Sequence, residues 1–538
     1  MTPDVIVDQP VSLNMNPYSG PWTKAEAAHL LRRCMFGPTF QQIQDAVTNG
    51  MNATVTSLLT IPAVSPPLAY DPDEAVVPIG STWVNSPYNS GANTQPTENA
   101  RYKSLAAWTM ETMNSTSLSI SAKMNLFWQN HFAVEGVFDS RATYNYLNIL
   151  RTHALGNFKQ MIKDVTIDPA MLLFLNGASN NVYSPNENYS RELLELYTLG
   201  KGPQIGPGDY TNYTEADVAA GAKILTGYII DGLRSDTLGS PVSIFLSSLH
   251  DNTTKQLSNH FGNATITGAG ANEYSNYIDV IFQQPSCATF ICQKLYRYFV
   301  NYDLTPSVMS NVIPEMAQTL TTNNFNILPV MEQLLKSEHF YDVAVRGALI
   351  KSPMETVFSW FNSSESSPSY SIATNYEMYL NLYWFAGVLG QAYMAPPSVG
   401  GWTAYYQAPS YYKLWLNSTF LKGRFDLATW LTQYGGIDVG GNFYKVDALA
   451  VVDGLSIPND AISVIDDLAD LYCPKSLGSA DKIVLKAILT NGLPDFEWTI
   501  QYNDYVANPG NTTYSDPVRI RVELVLSRLF KMAEFQTI

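Results

Sequence analysis

Glu192 and Glu195 stand three residues apart in the stretch NENYSRELLELYTLG, residues 186–200. On an α-helix a three-residue step leaves two side chains about 60° apart, so both carboxylates share one face. Leu196 and Leu199 flank them, and Asn188 and Arg191 border Glu195. Acids on a leucine-lined face are expected to be partly buried, and a buried carboxylate must be paired or shifted in pKa. Arg191 lies at i+4 from Glu187 and i−4 from Glu195, within reach of both. General acid–base catalysis needs one acid kept protonated beside an ionised partner. Two carboxylates suffice to cleave a glycosidic bond. Glu187, Arg191, Glu192 and Glu195 are therefore candidate catalytic residues. The same residues would also serve as an Arg–Glu network that ties helices together.

His131 follows Trp128 in NLFWQNHF, residues 125–132. It is a candidate acid–base group, and its alternative role is that of a hydrogen-bonded core histidine. The segment GWTAYYQAPSYYKLW, residues 401–415, carries Trp402, Tyr405, Tyr406 and Trp415 among its rings. Its Gly and Pro content reads as a loop, and aromatic faces stack on sugars. These four residues, with Trp128 and Asn188, are the candidate substrate contacts. The alternative is that the loop packs its rings onto the helices. The six histidines include no i, i+3 or i, i+4 pair and no H-E-x-x-H, so a zinc or di-iron helical site is not expected. No cofactor is expected, with a carboxylate-bound calcium ion in a loop left open. G-x-S-x-G, P-loop and post-strand G-x-G-x-x-G motifs are missing, which argues against an α/β serine hydrolase, a nucleotide hydrolase and a dinucleotide oxidoreductase.

The elements that must carry these groups read as helices. Residues 1–21 look like an extended arm. Thr23 and Glu26 form a capping box, and Gly37-Pro38 stops the helix that follows. Residues 61–99 read as a long loop, and 200–210 as a break. Thr214 and Asp217 cap a further helix. SIFLSSL and NATITG have strand-like content with Gly and Asn between them, which predicts a small β-insert near 232–270. The expectation is a mainly α, multi-helical protein. Its main helical domain spans 22–420, with a helical region, 421–538, packed on it.

With 538 residues, two or more lobes are expected. The formal net charge of −16 argues against nucleic acid and anionic lipid as partners, so a neutral polymer or a small molecule fits better. No apolar run approaches the roughly 20 residues of a membrane helix. Cys34, Cys287, Cys292 and Cys473 have no metal-site spacing, and five helical residues point Cys287 and Cys292 about 140° apart. At most one disulfide is expected.

Five stretches resemble the bacterial domain-of-unknown-function family 1800. They are AEAAHLLRRCMFGPT (25–39), NLFWQNHF (125–132), NENYSRELLELYTLGKG (186–202) with YTEADV (213–218), KSPMETV (351–357) and APPSVGGW (395–402). The resemblance runs in order along nearly the whole chain. It implies a helix-rich, exported bacterial protein, secreted or held in the periplasm or cell envelope, whose signal peptide has been removed. It also implies a genomic neighbour among exported sulfatase-like proteins. It assigns no reaction. Region 232–270 keeps His250 and Asp251 but otherwise fits the family pattern loosely. Two functions follow as expectations. One is an exported hydrolase of a neutral polymer, a glycan, working through the helix-borne carboxylate pair. The other is a non-catalytic envelope binding or scaffold protein that partners a sulfatase-like exported protein.

Overall fold

Helix starts are written into this chain as short polar boxes. In the computed structural model, which describes residues 12–91 and 94–538, four such boxes close. Thr23/Glu26 opens Lys24–Cys34, and Thr39/Gln42 opens Phe40–Leu58. Thr214/Asp217 opens Glu215–Ile224, and Ser352/Glu355 opens Pro353–Asn362. Each box satisfies two backbone N–H groups that a helix start leaves free. The first part of the expected N-terminal arm, residues 1–11, lies outside the described residues.

Among the described residues, 21 α-helices and four two-stranded antiparallel sheets make the fold mainly α. The small β-insert is two hairpins, Tyr228–Asp231 with Val242–Phe245 and Lys255–Gln256 with Thr265–Ile266. A further hairpin, Gln204–Gly206 with Asp209–Tyr210, fills the expected break at 200–210. The fourth, Ile437–Val439 with Asn442–Tyr444, interrupts the C-terminal region that the sequence predicts to be helical. Gly440 and Gly441, both at positive φ, form its two-residue turn. A Gly-Gly pair matches the twist of a tight hairpin, and this local signal outweighs the helical surroundings.

The long loop ends earlier than expected, because a helix already starts at Thr94 and runs to Met113. Arg101 on that helix pins the loop. Its buried guanidinium donates to both Glu74 oxygens, at 2.7 and 3.2 Å, and to the carbonyls of Ser86 and Pro87. The apolar core is continuous from Met15 to Ile538. Lys24–Cys34 packs on Phe40–Leu58 and on Ala461–Tyr472 of the C-terminal region. All four cysteines are buried and free. No helix among the described residues is long and apolar enough to cross a membrane.

Candidate functional site

The acid-bearing stretch is not one regular α-helix. It is α-helical over Asn188–Glu192 and continues as a π-helix over Leu193–Thr198. The wider turn closes through Leu199 N–H to the Leu194 carbonyl at 3.0 Å, and the Thr198 hydroxyl donates to the Leu193 carbonyl. More residues per turn rotate Glu195 farther from Glu192 than the α-helical projection places it. The burial pattern follows the wider turn. The buried pairs Tyr189-Ser190, Leu193-Leu194 and Tyr197-Thr198 repeat every four residues, a period longer than the α-helical 3.6.

Arg191 pairs differently from the expectation. It reaches Glu187 at 3.1 Å, but its main partner is Glu215, held through two bonds of 2.9 and 2.7 Å. Glu215 opens the neighbouring helix, which the sequence pairing rule for one helix does not see. No bond joins Arg191 to Glu195. Instead Glu195 accepts from the Tyr213 hydroxyl at 2.8 Å and pairs with Lys201 at 3.4 Å. Lys201 in turn lies over the Tyr210 ring. Glu192 is half-buried and makes no hydrogen bond or ion pair among the described residues. Burial raises its pKa, and the Glu195 charge raises it further, while Arg191 and Lys201 pull it back. Asn188 and Glu187 are exposed at the start of the stretch. The acid face is thus partly solvated rather than sealed.

Helix ends leave carbonyls unbonded, and here buried bases satisfy them. His131 Nε2 donates to the Tyr197 carbonyl at 3.1 Å. Lys294, on the helix Pro285–Phe299, donates to the Leu196 carbonyl at 2.9 Å and meets His131 Nδ1 at 3.1 Å. An ammonium can only donate, so Nδ1 accepts and the proton of the neutral imidazole sits on Nε2. Burial, reinforced by Lys294, drives the His131 pKa well below its ordinary value. Burial and the nearby Arg297 charge lower Lys294 to about 7. No hydrogen bond joins His131 to a carboxylate. Its place is beneath the π-turn, with Trp128 fully buried beside it and bonded to the Ala154 carbonyl at 2.9 Å.

The aromatic loop folds onto the same region. The Trp402 N–H donates to Asn130 Oδ1 at 2.9 Å. A Cβ on Gly401, whose φ is +86°, would lie 2.3 Å from that same oxygen, so only glycine permits the approach. Trp402, Tyr405 and Trp415 are buried, and Tyr405 packs edge-on against Tyr412 and Trp415. Three of the four rings expected to offer a sugar platform are therefore core rings. Only Tyr406 is exposed, at 43%. Together the loop, the His131 helix and the Lys294 helix enclose a cleft of about 50 Å³. Lys294, Arg297, Tyr298 and Tyr412 line it; Tyr412 belongs to the aromatic loop singled out from the sequence, and sequence reasoning missed the other three. The signal for the two cations was K-x-x-R in QKLYRYF, which puts both on one helical face.

A much roomier cavity, about 500 Å³, lies elsewhere, lined by Met35, Trp108, Glu111 and Arg151. Among the described residues, no group of three or more His, Cys, Asp or Glu is placed to hold a metal ion. No curated protein and no solved structure matches the chain. The acid stretch, the His131 helix and the Gly401 loop lie where three of the five family-like stretches fall. The family of proteins of unknown function DUF1800 matches residues 29–537, nearly the whole chain, and the chain belongs to that family.

Proposed function

We propose that this protein is an exported hydrolase of a neutral polymer, a glycan, with Glu192 as general acid and Glu195 as its carboxylate partner. One observation carries the reading: two neighbouring acids sit in opposite environments. Glu192 is half-buried, unpartnered and raised in pKa. Glu195 is bonded to a tyrosine hydroxyl and paired with a lysine. A carboxyl kept protonated beside a hydrogen-bonded, ion-paired carboxylate is how one site supplies both an acid and a base. Arg191 and Glu215 fix the start of the stretch, and His131 and Lys294 fix its end. The acidic chain suits an uncharged substrate better than an anionic one.

The test is a reducing-end assay over a panel of soluble neutral polysaccharides. Glu192→Gln and Glu195→Gln should each lower turnover about 10²-fold or more. The wild-type rate should fall as pH rises through the raised Glu192 pKa, because the acid loses its proton. Stability separates this role from a structural one. A carboxyl raised in the folded state is neutral for stability below its unfolded pKa of about 4.3 and destabilises as pH rises through the folded value. Gln mimics the protonated form. Glu192→Gln should therefore match the wild-type Tm at pH 4 and equal or exceed it at pH 8. A Tm that drops at pH 8 would assign Glu192 to scaffolding. Full activity in both variants would remove the pair from the mechanism.

A non-catalytic role beside a sulfatase-like partner draws on a different observation. The C-terminal helices expose Ile462, Ile483, Phe496 and Ile500, and exposed apolar side chains on helices mark partner surfaces when they are contiguous. Binding of such a partner without activity on any polymer would favour that role.

A further inference from the structure

We infer that the cleft between the His131 helix, the Lys294 helix and the 400–412 loop binds the carboxylate group of an organic acid. The inference does not rest on the hydrolase reading, because neither Glu192 nor Glu195 lines this cleft.

Charge comes first. Lys294 and Arg297 lie one helical turn apart on Pro285–Phe299, and both line the cleft. Neither pairs with a carboxylate among the described residues. Lys294 spends its bonds on the Leu196 carbonyl and on His131 and lies over the Phe290 ring, and Arg297 meets the Tyr411 hydroxyl at 3.4 Å and lies over that tyrosine's ring. The chain holds 47 acidic residues against 31 Lys and Arg, so counter-ions are abundant elsewhere. Two adjacent cations left without one, partly withdrawn from water, repel each other and are costly to hold. A bound anion would offset that cost.

Hydrogen bonding points the same way. Arg297 Nε is buried with no acceptor, and the hydroxyls of Tyr298 and Tyr412 are buried, that of Tyr412 with no partner and that of Tyr298 with only the Tyr405 hydroxyl near it. These two tyrosines are 8% and 2% exposed, and both line the cleft. Burial raises both phenols well above their ordinary pKa, so they remain neutral O–H donors. Buried polar groups are normally satisfied, and a cleft whose spare groups are mostly donors calls for acceptor oxygens.

Size and shape narrow the class. The cleft is small, about 50 Å³, and suits a small head group. That space takes a carboxylate head. A planar guanidinium matches a planar carboxylate. Phe127 and Tyr405 supply apolar walls, and the exposed Tyr406 stands at the rim.

The experiment is calorimetric titration of the full chain at pH 6, where Lys294 carries its proton. Acetate and hexanoate are the probes, acetamide is the neutral isostere, and inorganic phosphate is the competing oxyanion. Acetate should bind at least 10-fold more tightly than acetamide and more tightly than phosphate. Hexanoate binding more tightly than acetate assigns a longer acid that runs out past Tyr406, and equal binding assigns a short one. Arg297→Gln and Lys294→Met should each weaken acetate at least 10-fold, while Glu192→Gln should leave it unchanged. Tyr412→Phe, which removes one oxygen from a packed ring, should weaken it about threefold and keeps the test open if a charge variant fails to fold. Acetamide binding as well as acetate, phosphate binding more tightly than acetate, or no carboxylate binding at all would overturn the inference.

Discussion

Arg191 shows how far a residue's partners can be read from its own helix. The i, i+4 rule finds Glu187 and misses Glu215, which arrives from another helix and makes the better contact. The side chain of Arg191 is 31% exposed and that of Glu215 40%, so this is a surface ion pair with good geometry. Such pairs contribute about 1 kcal/mol or less. Arg191→Ala should accordingly cost about 0.5–1 kcal/mol in urea unfolding, not the roughly 3 kcal/mol of a stranded buried charge. A double-mutant cycle should find coupling with Glu215 and none with Glu195. A loss near 3 kcal/mol would mean the acid face is sealed after all. The candidate acids stand out in the sequence by residue type and spacing, although the π-turn changes how they sit relative to one another. Lys294 does not stand out, because K-x-x-R on an amphipathic helix looks like any solvated face. Its partners, the Leu196 carbonyl and His131, come from two other stretches of the chain, which its own helix does not reveal.

Among the elements, the capped helices were legible and the π-turn was not. A capping box is a local bargain between four residues, so its residues announce it. The π-turn depends on which side chains the surrounding core takes up, and only the four-residue spacing of the buried pairs betrays it. What holds that stretch in place can be tested at Gly221, on the helix Glu215–Ile224. A Cβ there would lie 2.2 Å from Ser190 Oγ and 2.7 Å from the Tyr277 hydroxyl. Ser190 immediately precedes Arg191 and Glu192, and its hydroxyl donates to the Val218 carbonyl at 2.8 Å. Gly221→Ala should overpack this contact, cost about 1–3 kcal/mol and push the acid stretch outward. Gly510, with open space around it and no positive φ, is the control. Gly510→Ala should change stability by no more than about 0.5 kcal/mol. Equal unfolding midpoints for the two variants would show that the helices meet more loosely than these distances require.

Across the whole molecule, mainly α architecture was legible from the caps and periodicity, while the way the chain closes on itself was not. Its final residues show why, since nothing in EFQTI announces a structural role. Phe535 is fully buried, stacks 6.5 Å from Trp360 and packs against Phe530 and Tyr472. The Lys351 ammonium lies 3.6 Å from the centre of its ring. Gln536 accepts from the buried Arg424 at 3.2 Å and, through its carbonyl, from Lys351 N–H at 2.8 Å. The N–H of Ile538 closes on the Leu349 carbonyl at 2.8 Å. The chain end therefore docks directly onto KSPMETV, one of the family-like stretches, whose Glu355 pairs with Lys123 on the His131 helix. Phe535→Ala removes a ring from a site with aromatic neighbours that cannot collapse to fill it. It should cost about 3–5 kcal/mol, read as a fall in the urea midpoint at unchanged slope. Phe535→Leu, which keeps most of the volume, should recover much of that loss. An alanine variant whose stability stays within about 0.5 kcal/mol of wild type, against an expected cavity cost of about 3 kcal/mol, would mean these last residues are loosely attached.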